Sequence, residues 1–249
     1  MRELDLETLV LTAGAHAPGD QFCIMEATAY IAGEPWSDHP RCVSPVLGAF
    51  GRAWNDSMRS DAERDALKQY IPRMIGTAGD SKADKRRASL AIDWLVRVYT
   101  PAFLRLAKLD EHADRLAALP PTADEVYAAS VQDDIAAAWA AAEAAATADW
   151  AASRAASAAS RAASAVSRAA WSAAEAASAS MAVSWAVWAA SRAASAASRA
   201  AVGAADVDTP ESTISALQAS MHMLFERMIA ASPVPERWPD LVYPEEDAK

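Results

Sequence analysis

Residues 16–42 hold His16, Cys23, Glu26, Asp38, His39 and Cys42, a concentration of imidazole, thiol and carboxylate in a chain with only two cysteines and four histidines. Thiolates with an imidazole suit a tetrahedral zinc ion. Cys23, His39 and Cys42 would supply three of its four ligands, with His16, Glu26 or Asp38 as the fourth. The same groups permit nucleophilic chemistry, with Cys23 near a helix N-terminus as the attacking thiol and His39 as its base. The spacing fits no established zinc motif, and the plainer reading makes Cys23 a small apolar residue on the inner face of a helix. No residue is assigned a catalytic role. Around these groups, Glu34-Pro35-Trp36-Ser37-Asp38-His39-Pro40 makes a dense polar and aromatic loop. Trp36, Asp38 and His39 are therefore the head's candidates for contacting a small-molecule or protein ligand. The alternative is that the prolines shape a turn and Trp36 plugs the edge of the core.

The elements that must position these residues read as helices. Asp20 can cap a helix over about 21–33, ended by Gly33, with Phe22, Met25 and Ala29 facing inward. Ser44 before Pro45 starts a second helix carrying Val46, Leu47, Phe50 and Trp54. A third spans about 62–70. A fourth begins near Ser81 and Asp84 and carries Leu90, Ile92, Trp94, Leu95 and Val98 up to a break before Pro101. A short helical stretch over 104–119 closes a head of residues 1–119. Nothing alternates with a period of two for long enough to demand a strand.

Beyond Pro121 the character changes. No proline occurs until Pro210, and no glycine between Gly79 and Gly203. Residues 151–171 read AASRAAS AASRAAS AVSRAAW, a seven-residue repeat in the best helix-forming residue. Thr122 and Glu125 form a capping-box pattern at the start of this unit, residues 122–202. The repeat places Arg154, Arg161 and Arg168 at one heptad position and Trp171 and Trp185 at another; the remaining positions are nearly all alanine. Alanine seams let a partner helix approach closely. A continuous helix over this span would be on the order of 120 Å long. The two forms compatible with the pattern are a continuous paired rod and an antiparallel hairpin, and the absence of a turn residue favours the rod. A third unit, residues 209–249, starts with Thr209-Pro210-Glu211. It carries an apolar stripe of Ile214, Leu217, Met221, Leu224, Phe225 and Met228, to be buried on the rod or on another subunit, and ends in an acidic, proline-rich tail.

Charge narrows the partners. The chain of 249 residues has a formal net charge of −10, yet residues 150–202 hold five arginines against one glutamate. Arginine interleaved with tryptophan can bind a nucleotide or nucleic acid by phosphate contact and stacking. The overall negative charge opposes a polyanion, and the arginine stripe can equally keep an alanine rod in solution. The start, MRELDLETLVL, lacks a basic segment followed by an apolar one, and no stretch reaches the ~20 apolar residues of a membrane span. A cytoplasmic location without membrane insertion is the expectation.

The segments MEATAYIAGEPWSDHPRCVSPVLGAFGRAWND, IPRMIGTAGD and RRASLAIDWLVRVYTPAFLRLAKL resemble a family of uncharacterised bacterial and bacteriophage proteins. In that family such a head precedes an alanine- and tryptophan-rich repetitive helix and a short LFERMI-like helix. The resemblance implies this plan of units and no catalytic residue, ligand or partner; a phage setting would allow an accessory or anti-defence role. The expectation is thus an all-α protein with a non-enzymatic binding or scaffolding function, self-associating as a homo-oligomer through its alanine-rich helix. The alternatives are a zinc-dependent or cysteine hydrolase using Cys23, His39 and Cys42, and nucleotide or nucleic-acid binding through the Arg/Trp face.

Overall fold

A computed structural model describes residues 4–58, 60–121, 132–145, 157 and 210–242. Among the described residues the protein is all-helical. The one extended pairing is an isolated parallel bridge between Leu11 and Phe22. The alanine-rich repeat, with Arg154, Arg161, Arg168, Trp171 and Trp185, lies outside the described residues.

The first helix, α1, runs Ile24–Ala32, three residues later than the sequence suggests, and its N-cap is Cys23 instead of Asp20. The Cys23 thiol accepts from Glu26 N–H at 3.4 Å, and the Glu26 carboxylate accepts from Cys23 N–H at 2.8 Å. This is a capping box with sulfur in the place of a hydroxyl. Gly33 closes the helix at φ 80°, the left-handed conformation that glycine adopts without a Cβ penalty. Helix α2, Pro45–Ser57, starts as expected with Ser44 accepting from Leu47 N–H and Pro45 in the first turn. Its Gly51 lets α1 approach closely, since a Cβ there would sit 3.0 Å from Met25 Cε.

Helix α3, Asp61–Arg64, tightens into a 3₁₀ segment over Asp65–Tyr70 and leads into α4, Ile71–Met74. Helix α5 spans Ser81–Trp94, capped by Asp80, whose carboxylate accepts from Lys82 and Ala83 N–H. The break expected before Pro101 does not occur. Residues Leu95–Tyr99 form a π turn that delivers the chain into α6, Thr100–Leu106, with Pro101 in its first turn. The wider turn closes on Thr100, whose N–H and hydroxyl both donate to the Leu95 carbonyl, and Pro101 falls where a proline loses no intrahelical bond. Helix α7 is Asp110–Ala117, and α8, Gln132–Ala145, packs on it with Ile135, Ala138 and Ala142 buried.

The last helix, α9, Glu211–Ile229, buries its stripe in the head itself, a partner the sequence reading did not offer. It packs on α5 and α2, and Leu217, Met221, Leu224, Phe225 and Met228 share one apolar core with α1 to α7. Phe225 stacks on Phe50 at 5.4 Å and meets Trp54 and Tyr70 edge-on. Polar bolts reinforce this. Trp94 Nε1 donates to Ser220 Oγ at 3.1 Å, Arg87 to the Met228 carbonyl at 2.9 Å, and Arg86 to the Ala231 carbonyl at 2.8 Å. Two stretches of chain separated by some 90 residues therefore complete one another's core.

Candidate functional site

The groups singled out around residues 16–42 separate into two settings. The first is buried. Glu26 is 1% exposed, and its carboxylate takes three donors: His16 N–H at 2.5 Å, His16 Nδ1 at 2.8 Å and Cys23 N–H at 2.8 Å. A carboxylate out of water needs this much compensation. Because Nδ1 faces a carboxylate, its hydrogen belongs on that nitrogen, leaving Nε2 as an acceptor 3.1 Å from Thr12 Oγ1. Trp36 holds the loop from the other side. Its indole N–H donates to the His16 carbonyl at 2.7 Å, and its ring lies 4.8 Å from that of Phe22. Trp36 thus fills the edge of the core and pins the His16 loop.

The second setting is open. His39 Nδ1 meets Asp38 Oδ1 at 2.7 Å with the imidazole 67% exposed. The Asp38 carbonyl accepts from Arg52 at 2.7 Å, and Ser37 Oγ accepts from His39 N–H, so the turn is self-contained. Cys42 is half-buried, and its carbonyl accepts from Gly76 and Ala78 N–H.

The proposed ligand set does not assemble. Among the described residues no group of three or more His, Cys, Asp and Glu side chains is placed to hold a metal ion. Cys23 is committed to the cap of α1, Cys42 to the turn before α2, and His39 to its own neighbour. The thiols are also held in the neutral form. Burial, with the Glu26 carboxylate beside it, pushes Cys23 up to about 12, and burial with the Glu34 carboxylate pushes Cys42 up to about 11. A thiol so placed is neither a ready nucleophile nor a ready metal ligand.

A third cluster joins residues remote in sequence. Arg97, on the π turn, is buried and places all five of its N–H donors. Nε and Nη2 engage Asp93 Oδ2 at 3.0 and 2.9 Å, Nη1 donates to the Leu119 and Glu236 carbonyls at 3.0 and 2.9 Å, and Nη2 to the Pro235 carbonyl at 2.6 Å. Trp238 Nε1 donates to the same Asp93 oxygen at 2.5 Å, and Arg227 lies over the Trp238 ring at 5.7 Å. One guanidinium thus joins the segment that leaves the head after α7 to the segment that follows α9. Beside it an open cleft of about 660 Å³ is lined by Arg105, Asp114, Arg237 and Asp240, whose charges pair within the cleft as Arg105–Asp114 and Arg237–Asp240. The spacing Asp93/Arg97 at i, i+4 was legible as a helix pair, but its carbonyl partners are remote in sequence.

Among the described residues no helix is long and apolar enough to cross a membrane. No family model, curated protein or solved structure matches the chain.

Proposed function

We propose that this is a binding or scaffolding protein in which the head, residues 4–121 and 132–145 with 210–242, is a fixed base for an arm of residues 146–209, and that the arm's alanine surface carries self-association. The observation that supports this reading is the burial of α9 in the head core, with Arg97 joining the Leu119 carbonyl to Pro235 and Glu236. Both ends of the arm are then fastened to one body, which suits a projecting element that must transmit load or hold a partner at a fixed place.

Closure chooses between the two forms of the arm. A straight helix over 146–202 would end about 85 Å from where it began. The seven residues 203–209 reach about 25 Å, and a head of about 150 residues is about 40 Å across. The chain could not return to Pro210. The antiparallel hairpin is therefore the form proposed, in place of the rod that the missing turn residue favours. Its inner seam pairs within the arm, and the outer alanine faces are left for a second copy.

Light scattering coupled to size-exclusion chromatography tests the proposal. The full chain is expected to elute as an oligomer, and Ala162→Glu with Ala169→Glu to reduce it to a monomer with an unchanged head. A monomeric mass for the unsubstituted chain, or no change on substitution, overturns the reading. The hydrolase alternative built on Cys23, His39 and Cys42 gains nothing from the geometry of the described residues, and the residues of the nucleic-acid alternative lie outside them.

A further inference from the structure

Thr12, His16 and Glu26 stand in the order of a hydroxyl nucleophile, its base and the carboxylate that orients the base. We infer that the Thr12 hydroxyl is a nucleophile toward small activated acyl and phosphonyl groups, with His16 Nε2 as the proton acceptor and Glu26 as its orienting partner. This site lies wholly in the head and goes beyond the role proposed for the arm.

The geometry meets the two hydrogen-bond conditions such a site requires: base to nucleophile, 3.1 Å, and base to carboxylate, 2.8 Å. The tautomer is the productive one. Glu26, fully buried, holds the hydrogen on Nδ1, so Nε2 presents its lone pair to Thr12. The hydroxyl can also donate to the Phe22 carbonyl, which is farther away at 3.5 Å than the imidazole nitrogen. Both side chains are held on rigid backbone. Thr12 N–H donates to the Phe22 carbonyl at 2.9 Å and the Thr12 carbonyl accepts from Asn55 Nδ2 at 2.9 Å, while Trp36 fixes the His16 carbonyl. Such preorganisation is what keeps a reacting pair aligned. Thr12 and His16 are partly exposed, and the loop beyond them presents Ala13 and Ala15 to solvent, so a small electrophile can reach the hydroxyl. The Ala13 N–H, directly after the nucleophile, donates no hydrogen bond among the described residues.

The step balances without a further reagent. Thr12 Oγ1 bonds to the carbonyl carbon of an activated ester as its hydrogen passes to His16 Nε2 and the carbonyl electron pair moves to oxygen. Collapse restores the carbonyl and expels the leaving group, which takes the hydrogen from His16. Water, activated by the same nitrogen, then releases the acid and returns the hydrogen to Thr12. With a fluorophosphonate the reaction stops after the first half: an oxygen–phosphorus bond forms, phosphorus–fluorine breaks, and hydrogen fluoride leaves.

The test uses the full chain, a fluorophosphonate probe and p-nitrophenyl acetate. Intact mass and peptide mapping are expected to place one phosphonyl group on Thr12. Thr12→Ser should keep labelling, Thr12→Val should abolish it, and His16→Asn should slow it by about 10²–10⁴-fold, the usual contribution of a positioned base. Ester hydrolysis should fall in parallel. Thermal melts of each variant show whether the head is folded, and Thr12→Ser, which retains the hydroxyl, separates loss of the nucleophile from loss of structure. No label on the unsubstituted chain, a label elsewhere, or equal labelling of Thr12→Val or His16→Asn overturns the assignment.

Discussion

Two carboxylate–imidazole pairs lie in the same stretch of chain at nearly the same distance, His16–Glu26 at 2.8 Å and His39–Asp38 at 2.7 Å, yet they are physically different objects. The first has a carboxylate 1% exposed with two backbone donors besides the imidazole; the second has an imidazole two-thirds in water and a carboxylate that is its sequence neighbour. The arginine pairs repeat the contrast. Arg97–Asp93 is 2% and 0% exposed, whereas Arg73–Glu226 is 43% and 41% exposed. Contact distance alone says little about what a pair does. A buried pair fixes chain segments because leaving either partner unmatched is costly, while an exposed one competes with water and counter-ions.

The sharpest way to break that contrast is at the arginines. Arg97→Ala leaves Asp93 and Trp238 facing an uncompensated gap and frees three carbonyls from two remote segments. It is expected to cost about 3–5 kcal/mol, seen as a lower urea midpoint, whereas Arg73→Ala should cost less than about 1 kcal/mol. Similar losses for the two would refute the distinction. Among the histidine pairs, Glu26→Gln turns an acceptor of three bonds into a group with one acceptor and a donor aimed at other donors. About 2–3 kcal/mol should be lost, against about 0.5 kcal/mol or less for Asp38→Asn, both read from urea melts. A third change probes the packing behind the buried pair. Gly51→Ala pushes a methyl group against Met25 on α1, and about 1–3 kcal/mol is the expected loss, with a wild-type stability showing that the two helices can separate freely.

Local signals in the sequence carried well and long-range ones did not. Ser44-Pro45 and Gly33 marked helix boundaries because cap chemistry involves only neighbouring residues. The cap of α1 was misplaced since Asp20 is the commoner capping residue, and nothing local shows that Phe22 is drawn into a bridge with Leu11. Pro101 was read as a stop because a π turn has no compositional mark. The stripe of α9 was plain from its three–four spacing, but its partner was not, since periodicity tells which face is buried and never against what. The same limit governed the site. Cys23, His39 and Cys42 stood out by chemical type, and the fold sends them apart, while the Thr12–His16–Glu26 alignment depends on a bridge and an indole contact that no spacing announces.

The smallest effect expected lies on His222, a histidine outside both pairs. His222, on α9, faces Tyr70 and Trp54, with Glu226 one turn on and Arg73 beyond it. Its Nδ1 is 2.7 Å from the Tyr70 hydroxyl. Burial lowers its pKa from the ordinary 6.5, outweighing the opposing pull of Glu226. The unfolded chain then binds more protons than the folded one as pH falls below about 6.5, so stability declines with acidification until the folded imidazole also protonates. Glu226 works through the same sign at lower pH. The Arg73 guanidinium holds its carboxylate below the ordinary 4.5, and the stability this lends above that value is lost as pH falls through the folded pKa. Urea midpoints measured from pH 7 to pH 5 should therefore slope gently downward in the unsubstituted protein and flatten in His222→Gln, with the decline below pH 5 left in place. An unchanged slope in that variant would move the mild-acid response to another group and leave α9 held by contacts that do not titrate in this range.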